Sequence, residues 1–295
     1  MTAFEFIGQG KASKSKWSVS SMCRALGVTR SGYHAWATRK PSERRKRREA
    51  LTKKVTAVHQ KSRRTYGSPR VTKALQRDGE QVSEKTVAAL MAENKLEARP
   101  RKKFKVTTDS RDSKRIAPNL LQRDFSASRP NQVWVTDVTA YWTSEGWVYL
   151  AALIDLFSRR VVGWEVSDHN DTRLALTALR RAYFARKPPR GLIHHSDRGS
   201  PYASDDYIAE LNSMGMKRSM SKKGDCWDNA VAESFFSTLE FECVDGTTFD
   251  TIEQAERVLG DYIDNFYNPV RLHSTVGYAS PVEAEAQFHL KHQSA

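Results

Sequence analysis

The front of the chain carries its apolar residues at helical spacing, and the stretch beyond Asn119–Gln132 carries them in alternation or in unbroken runs. The first pattern predicts helices packed by one face, the second a sheet with helices between its strands. Val19, Met22 and Leu26 form a stripe that Gly27 interrupts, and Thr29 is placed to cap a second helix that turns Tyr33 and Trp36 inward. Before them MTAFEFIGQGKA sustains no period and reads as an irregular leader. A second helical pair follows: Ser68 as cap, Pro69 in first position, Val71 and Leu75 as stripe and Gly79 as stop, then Ser83 capping a helix faced by Val87, Leu90 and Met91. The segment that opens RPRKKFKVTTDSRDSKR has few apolar residues and no period, which predicts a basic linker.

From there the period becomes two. Val133, Val135 and Asp137 share one face of a strand, with Trp134 and Thr136 on the other. Gly146 opens WVYLAALIDLFS, apolar throughout as a strand covered on both faces would be; Arg159-Arg160 turn the chain and VVGWEVS returns. Asp171 or Thr172 caps a helix bearing Leu174, Leu176, Leu179 and Tyr183, which Pro188-Pro189 stops. GLIHHSD reads as a fourth strand, SDDYIAELNSMG as a helix and MKRSMS as a short fifth strand. Asp228 and Asn229 are expected to cap a helix with Val231, Phe235 and Leu239 on its buried face and Glu233, Ser237 and Glu240 on another. The tail carries an amphipathic helix from Ile252 to Phe266, ended by Asn268-Pro269. The predicted domains are a helix-turn-helix region over 1–50, a second basic helical domain and linker over 51–124, and a mixed α/β domain over 125–290.

Charge divides the chain at the same place. Its 295 residues carry a formal +14, but residues 1–124 hold 31 Lys and Arg against 11 Asp and Glu, a net of +20, and the remainder holds 17 against 23, a net of −6. A basic region joined to an acidic domain suits phosphate binding in the first and cation binding in the second. The first helical pair then reads as a helix-turn-helix with Arg30, Ser31 and His34 outward, where such motifs touch base edges. Arg44, Arg45, Arg47 and Arg48, with Arg101, Lys102 and Lys103 in the linker, are candidate DNA contacts, although a run of like charge is also what a solvated helix face looks like. Cys23, Cys226 and Cys243 are too few and too scattered for a disulfide framework or a CxxC zinc site. The apolar run Gly146–Ile154 falls far short of the ~18 residues a membrane span needs. With no apolar signal core at the start, the expected location is the cytoplasm.

The chemistry centres on three acids. Asp137 sits midway along the first strand, Asp197 ends a short apolar run, and Glu233 lies in the first turn of a helix. Taken singly each is ordinary, Asp197 as a turn former before Gly199 and Glu233 as a first-turn acid favoured by the helix dipole. Brought to one point, they would hold divalent ions for cutting and joining DNA. Asp155 is a fourth acid near a strand end, His194 and His195 adjoin Asp197 without further ligands at zinc spacing, and Lys222-Lys223-Gly224 forms a loop fit to grip DNA beside the acids.

The order β-β-β-α-β-α-β-α with its three acids resembles the ribonuclease-H-like core of retroviral integrases and bacterial DDE transposases. Closest is the second-frame protein of frameshifting insertion sequences. The motifs that carry the resemblance are VWVTDVT, LIDLFSRRVVGW, HHSDRGSPYAS, DNAVAESFFSTLE and NPVRLHSTVGYASPVEA, and it spans nearly the whole chain. It implies an α/β fold, a ribonuclease-H-like mixed-sheet catalytic core preceded by an all-α helix-turn-helix DNA-binding region. It also implies a DNA transposase that binds terminal inverted repeats, frees a 3′-OH and transfers it to target DNA. The cofactor it implies is Mg²⁺, with Mn²⁺ as substitute, which Asp137, Asp197 and Glu233 would hold, the bridging place between two ions falling by resemblance to Asp137. The resemblance gives Asp155 a structural or supporting part, and the same is expected of His195, Asp228 and Asn229. The implied partners are double-stranded DNA, further copies of the chain in at least a dimer, and a first-frame companion protein or frameshift fusion. In the family the position of Glu240 is commonly Lys or Arg, and an acid there cannot make that phosphate contact. The His/His/Cys/Cys zinc module of retroviral integrases is absent. A DNA-binding repressor with an inactive core, and a nuclease for RNA–DNA hybrids, are the alternatives from other classes.

Overall fold

The computed structural model describes residues 1–13, 16–98, 116–222 and 226–293. Arg101, Lys102, Lys103 and Lys223 therefore lie outside the described residues. The chain divides into two compact units, Met1–Lys54 and Val55–Ala295.

The first unit holds α1 (Ala3–Ala12), α2 (Val19–Ala25) and α3 (Arg30–Thr38), then the opening of α4 (Glu43–Lys61). Thr29 caps α3 as its spacing predicts, accepting from the Gly32 amide at 3.1 Å, and Ser18 does the same for α2. The leader is not irregular: α1 is a helix with a full capping box, in which the Thr2 hydroxyl accepts from the Glu5 amide and the Glu5 carboxylate accepts from the Thr2 amide. Two terminal amides are thus satisfied locally, and a single buried apolar residue, Ile7, anchors the helix to Met22, Cys23 and Tyr33. That is too little for a visible period. Leu26, expected inward, ends α2 and is exposed, and Trp36 is only partly covered, lying against Phe4 and Gly8.

The second unit begins within α4 and continues through α5 (Ser68–Arg77) and α6 (Glu84–Glu93). Gly67, not Ser68, occupies the cap of α5, so Ser68 and Pro69 are its first helical residues; Ser83 caps α6 as expected. The strands that follow are β1 (Val133–Thr143), β2 (Gly146–Asp155), β3 (Val161–Ser167), β4 (Ile193–Ser196) and β5 (Lys217–Met220). Between and after them lie α7 (Thr172–Arg186), α8 (Asp205–Ser213), α9 (Ala230–Leu239), α10 (Ile252–Tyr262) and α11 (Pro281–Gln293). The sheet order is β3-β2-β1-β4-β5, antiparallel across the first three and parallel from β1 through β4 to β5.

This is the mixed sheet that the strand pattern predicts, with two adjustments. β2 ends at Asp155, because Leu156–Ser158 turn away, and Asp171 alone caps α7. One face of the sheet buries Trp134, Ala151 and Leu153 against Leu174, Ala178 and Ala182 of α7. Gly163 makes that approach possible, since a Cβ there would meet the Ala178 carbonyl at 2.5 Å. α9 packs on the opposite face, over β1 and β2.

The last helix, α11, is not evident from the sequence pattern. Its buried contacts are Pro281, Ala284 and Glu285, and Glu285 receives both Arg186 and Arg160 at 2.8 Å. An acid inside an ion-pair network does not register as a hydrophobic stripe.

Candidate active site

Asp137 leaves β1 on the face that α9 covers. The parallel register pairs Val135 with His195, so two residues further along each chain Asp137 stands opposite Asp197, just past the end of β4. Neighbouring strands lie about 4.8 Å apart, which makes the two carboxyls neighbours across the sheet. The start of α9 is tied to the same place: the Asn229 amide donates to the Thr136 carbonyl at 3.3 Å and to the Asp137 carboxyl. One turn on, Glu233 comes over the pair, half-buried.

The electrostatics follow from this placement. Burial pushes the Asp137 carboxyl up to about 8; the negative charges of Asp197 and Glu233 add to the rise, while the Val138 amide at 2.8 Å and Asn229 oppose it. Burial also raises Asp197 and Glu233 above the ordinary carboxylate range. Among the described residues none of the three acids has an ion-pair partner. The three are near enough to feel one another but do not close on one point. Among the described residues no three carboxylate, imidazole or thiol groups are gathered tightly enough to hold a cation as they stand. Asp197 is turned toward the Gly199 amide at 2.8 Å, and a Cβ at Gly199 would meet its Oδ1 at 2.9 Å.

The supporting residues are placed by hydrogen bonds. Asp155 Oδ1 accepts from the amides of Phe157 and Ser158, and its Oδ2 from the Asn131 amide at 2.6 Å, so it caps the β2–β3 turn that Arg159 passes with φ 64°. Buried His195 donates from Nε2 to the Asp228 carbonyl at 2.9 Å, which leaves Nδ1 to accept from the Ser219 hydroxyl at 2.8 Å. Burial holds this ring below the ordinary histidine range and pushes His194, bonded to the Tyr207 hydroxyl, down to about 3. Both are packed, neutral rings.

Asp228 and Asn229 do not cap α9 by side chain. A short 3-10 turn over Cys226–Asn229 precedes the helix, and Asp228 points away from it. Its carboxylate accepts from the Lys222 amide and Asn119 Nδ2, both at 2.8 Å, and from Arg123 Nε at 3.4 Å. Burial works against this charge, yet those donors hold its pKa below the ordinary range.

Of the candidate DNA contacts, Arg30, Ser31 and His34 are exposed on α3, and Arg44, Arg45, Arg47 and Arg48 are exposed on α4, with Arg45 paired to Glu49. Lys222 is exposed beside the acids. Arg271 and His273 are buried, and Arg271 pairs with Glu242 at 2.7 Å, which makes their segment structural. Sequence reading passes over Arg198, which follows Asp197 directly, and Arg123, which pairs with Asp228; adjacency to Asp197 was the signal for the first, and nothing local marks the second.

Three family models match: two described as integrase core domain, over residues 127–226 and 214–281, and one described as HTH-like domain, over 46–104. Transposase InsF for insertion sequence IS3A from Escherichia coli (strain K12) is 41% identical over 92% of this chain and 95% of its own. The "uncharacterized 31 kDa protein" of insertion element IS600 from Shigella sonnei is 40% identical over 91% of this chain and 98% of its own. Among solved structures, the catalytic core domain of HTLV-2 integrase in complex with magnesium aligns at TM-score 0.42 and 16% identity, covering 54% of this chain and 99% of that one. The integrase-core matches together cover Asp137, Asp197 and Glu233, and relatives at 40–41% identity span nearly the full chain. This protein belongs to the family of insertion-sequence transposases with an integrase core, enzymes of polynucleotidyl transfer.

Proposed function

We propose that the chain binds the terminal inverted repeats of its element, cleaves a phosphodiester to free a 3′-OH and directs that hydroxyl onto target DNA, with Asp137, Asp197 and Glu233 as the residues that hold two Mg²⁺ ions. Mn²⁺ is the expected substitute. The observation that carries this reading is the approach of three acids from three elements, none with an ion-pair partner among the described residues, the innermost pushed up to about 8. A like-charge group so buried is held at a cost unless a cation joins it.

The donor set fits. All three ligands are carboxylate oxygens, the hard donors that Mg²⁺ prefers. Occupancy would require Asp137 and Asp197 to turn from the Val138 and Gly199 amides, small side-chain rotations on a rigid sheet. When bound, such ions supply an activated attacking oxygen and stabilise the departing one. The chain's own part is positional: Asn229 locks the start of α9 to β1, His195 fixes the turn before α9 through the Asp228 carbonyl, and Asp155 shapes the far end of β2.

DNA binding follows from the family, and its finer assignment is our reading. Arg30, Ser31 and His34 would read bases, and Arg44, Arg45, Arg47 and Arg48 would contact phosphates, with the domains divided over 1–50, 51–124 and 125–290. Assembly as at least a dimer, and a first-frame companion or fusion, complete the proposal. Among the described residues no helix is long and apolar enough to cross a membrane. The test is a cleavage and strand-transfer assay on DNA flanking the coding region. Asp137→Asn, Asp197→Asn and Glu233→Gln should each lose at least about 10³-fold in rate while end binding persists. Full Mg²⁺-dependent activity in all three would refute the assignment.

A further inference from the structure

Beside the acids a second cleft opens, about 780 Å³ in volume, between residues 116–123 and the ends of β4 and β5. Its walls carry Arg123, Arg198 and Lys222 against a single acid, Asp228. That acid is 2% exposed, and its oxygens are already taken by Asn119, Arg123 and the Lys222 amide. What the cleft presents to solvent is therefore positive.

The wall is also built rather than loose. The Leu120 amide donates to Ser219 Oγ at 2.9 Å, and the Asn119 side-chain oxygen accepts from the amides of Leu121 and Gln122 at 3.0 Å. Arg198 follows Asp197 directly in the chain. Its Nε donates to the Ser221 carbonyl at 2.8 Å, which fixes the stem and leaves the two terminal nitrogens to bind an acceptor. Lys222 is held by its backbone, and among the described residues its ammonium has no partner. A planar guanidinium with a preset stem and an exposed ammonium lining the same cleft are a phosphate-binding arrangement. The neighbouring acids repel a phosphate backbone, so any strand that reaches them must be held by cations alongside.

We infer that this cleft seats the sugar-phosphate backbone of the DNA strand continuing from the scissile phosphate, with Arg198 and Lys222 on its phosphates and Gln122 at its rim. The assignment rests on the three acids being the cutting site. Residues 116–123 are then not a passive tether but one wall of the substrate channel, pinned to the catalytic domain through Asp228 and Ser219.

The experiment uses the full chain and a duplex from the DNA flanking its coding region. Binding is followed over a salt series in Ca²⁺, and again with methylphosphonates replacing phosphates next to the scissile bond. Lys222→Ala and Gln122→Lys change exposed side chains, so folding is not in question. Lys222→Ala should lower the slope of log affinity against log salt by about 0.7–0.9, and Gln122→Lys should raise it by a similar amount. Methylphosphonates beside the scissile bond should weaken the wild type several-fold and Lys222→Ala by clearly less, since only Arg198 then remains on those phosphates. Unchanged slopes in both variants, or equal methylphosphonate effects in wild type and Lys222→Ala, would overturn the inference. Asp137→Asn is assayed for cleavage alongside. If it loses cleavage while the slopes stay flat, the cleft alone is wrong. If it cleaves normally, the reading of the acids is wrong, and the cleft is judged by the methylphosphonate result alone.

Discussion

Two buried charge clusters share the second unit, and their chemistry is opposite. Around Glu242, every group is paired: Arg271 binds it at 2.7 Å, the Tyr262 hydroxyl donates at 2.8 Å and Arg70 approaches to 3.6 Å. Burial works against the Arg271 charge, but Glu242 beside it holds that guanidinium firmly protonated. Around Asp137 the charges are alike, without an ion-pair partner among the described residues, and pushed toward their neutral forms. The first cluster is what a chain does to join elements; the Leu272 amide donates to the Tyr66 hydroxyl in the same place, so the helical pair and the tail are locked there. The second has only hydrogen bonds from Val138, Asn229 and Gly199 to set against its cost. On the function proposed above, a bound cation would offset that cost.

That contrast can be broken by substitution. The largest effect is expected at the acids: Asp137→Asn should remove at least about 10³-fold of the cleavage rate and leave the fold intact, or raise Tm by a few degrees. Glu242→Gln should do the reverse, destabilising by about 3–5 kcal/mol in urea unfolding because Arg271 is left buried and uncompensated. If Glu242→Gln left stability unchanged while abolishing cleavage at temperatures where it is folded, the division between the clusters would fail.

The pH dependence sharpens the same point. Asp137 has a folded value of about 8 against an ordinary 3.8, so the folded state binds the extra proton. Its contribution to stability is full below the ordinary value and is lost as pH rises through about 8. Metal-free wild type should therefore lose stability between about pH 4 and 8 more steeply than Asp137→Asn in melting curves. Smaller still, Gly199→Ala should slow cleavage by roughly 10-fold, since the added methyl crowds the Asp197 carboxylate and moves a ligand rather than deleting one. Arg45→Ala should change stability by less than about 0.5 kcal/mol, as its pair with Glu49 is exposed.

Legibility in the sequence tracked locality. The five strands, the Thr29, Ser83 and Asp171 caps and the face on which Asp137 lies all follow from rules that act over a few residues, and the structure has them. Capping of α9 by Asp228 looked equally local, but that carboxylate instead bonds Asn119 and Arg123, more than 100 residues earlier. No spacing rule reaches so far. α11 and the Glu242–Arg271 pair escaped for the same reason, because charged partners from distant segments leave no period. The leader failed differently: its capping box was present in Thr2 and Glu5, and a search for stripes alone does not see it. The acids were legible as a trio only through the family resemblance, since each alone has an ordinary structural reading.

The central claim is that the unpaired cluster exists to take a divalent cation. Calorimetric titration of Mn²⁺ into the full chain bound to its DNA end tests it most directly. Wild type and Glu242→Gln, at a temperature where the variant is folded, should bind the ion saturably, and Asp137→Asn should lose that binding. Equal binding by wild type and Asp137→Asn would contradict the account.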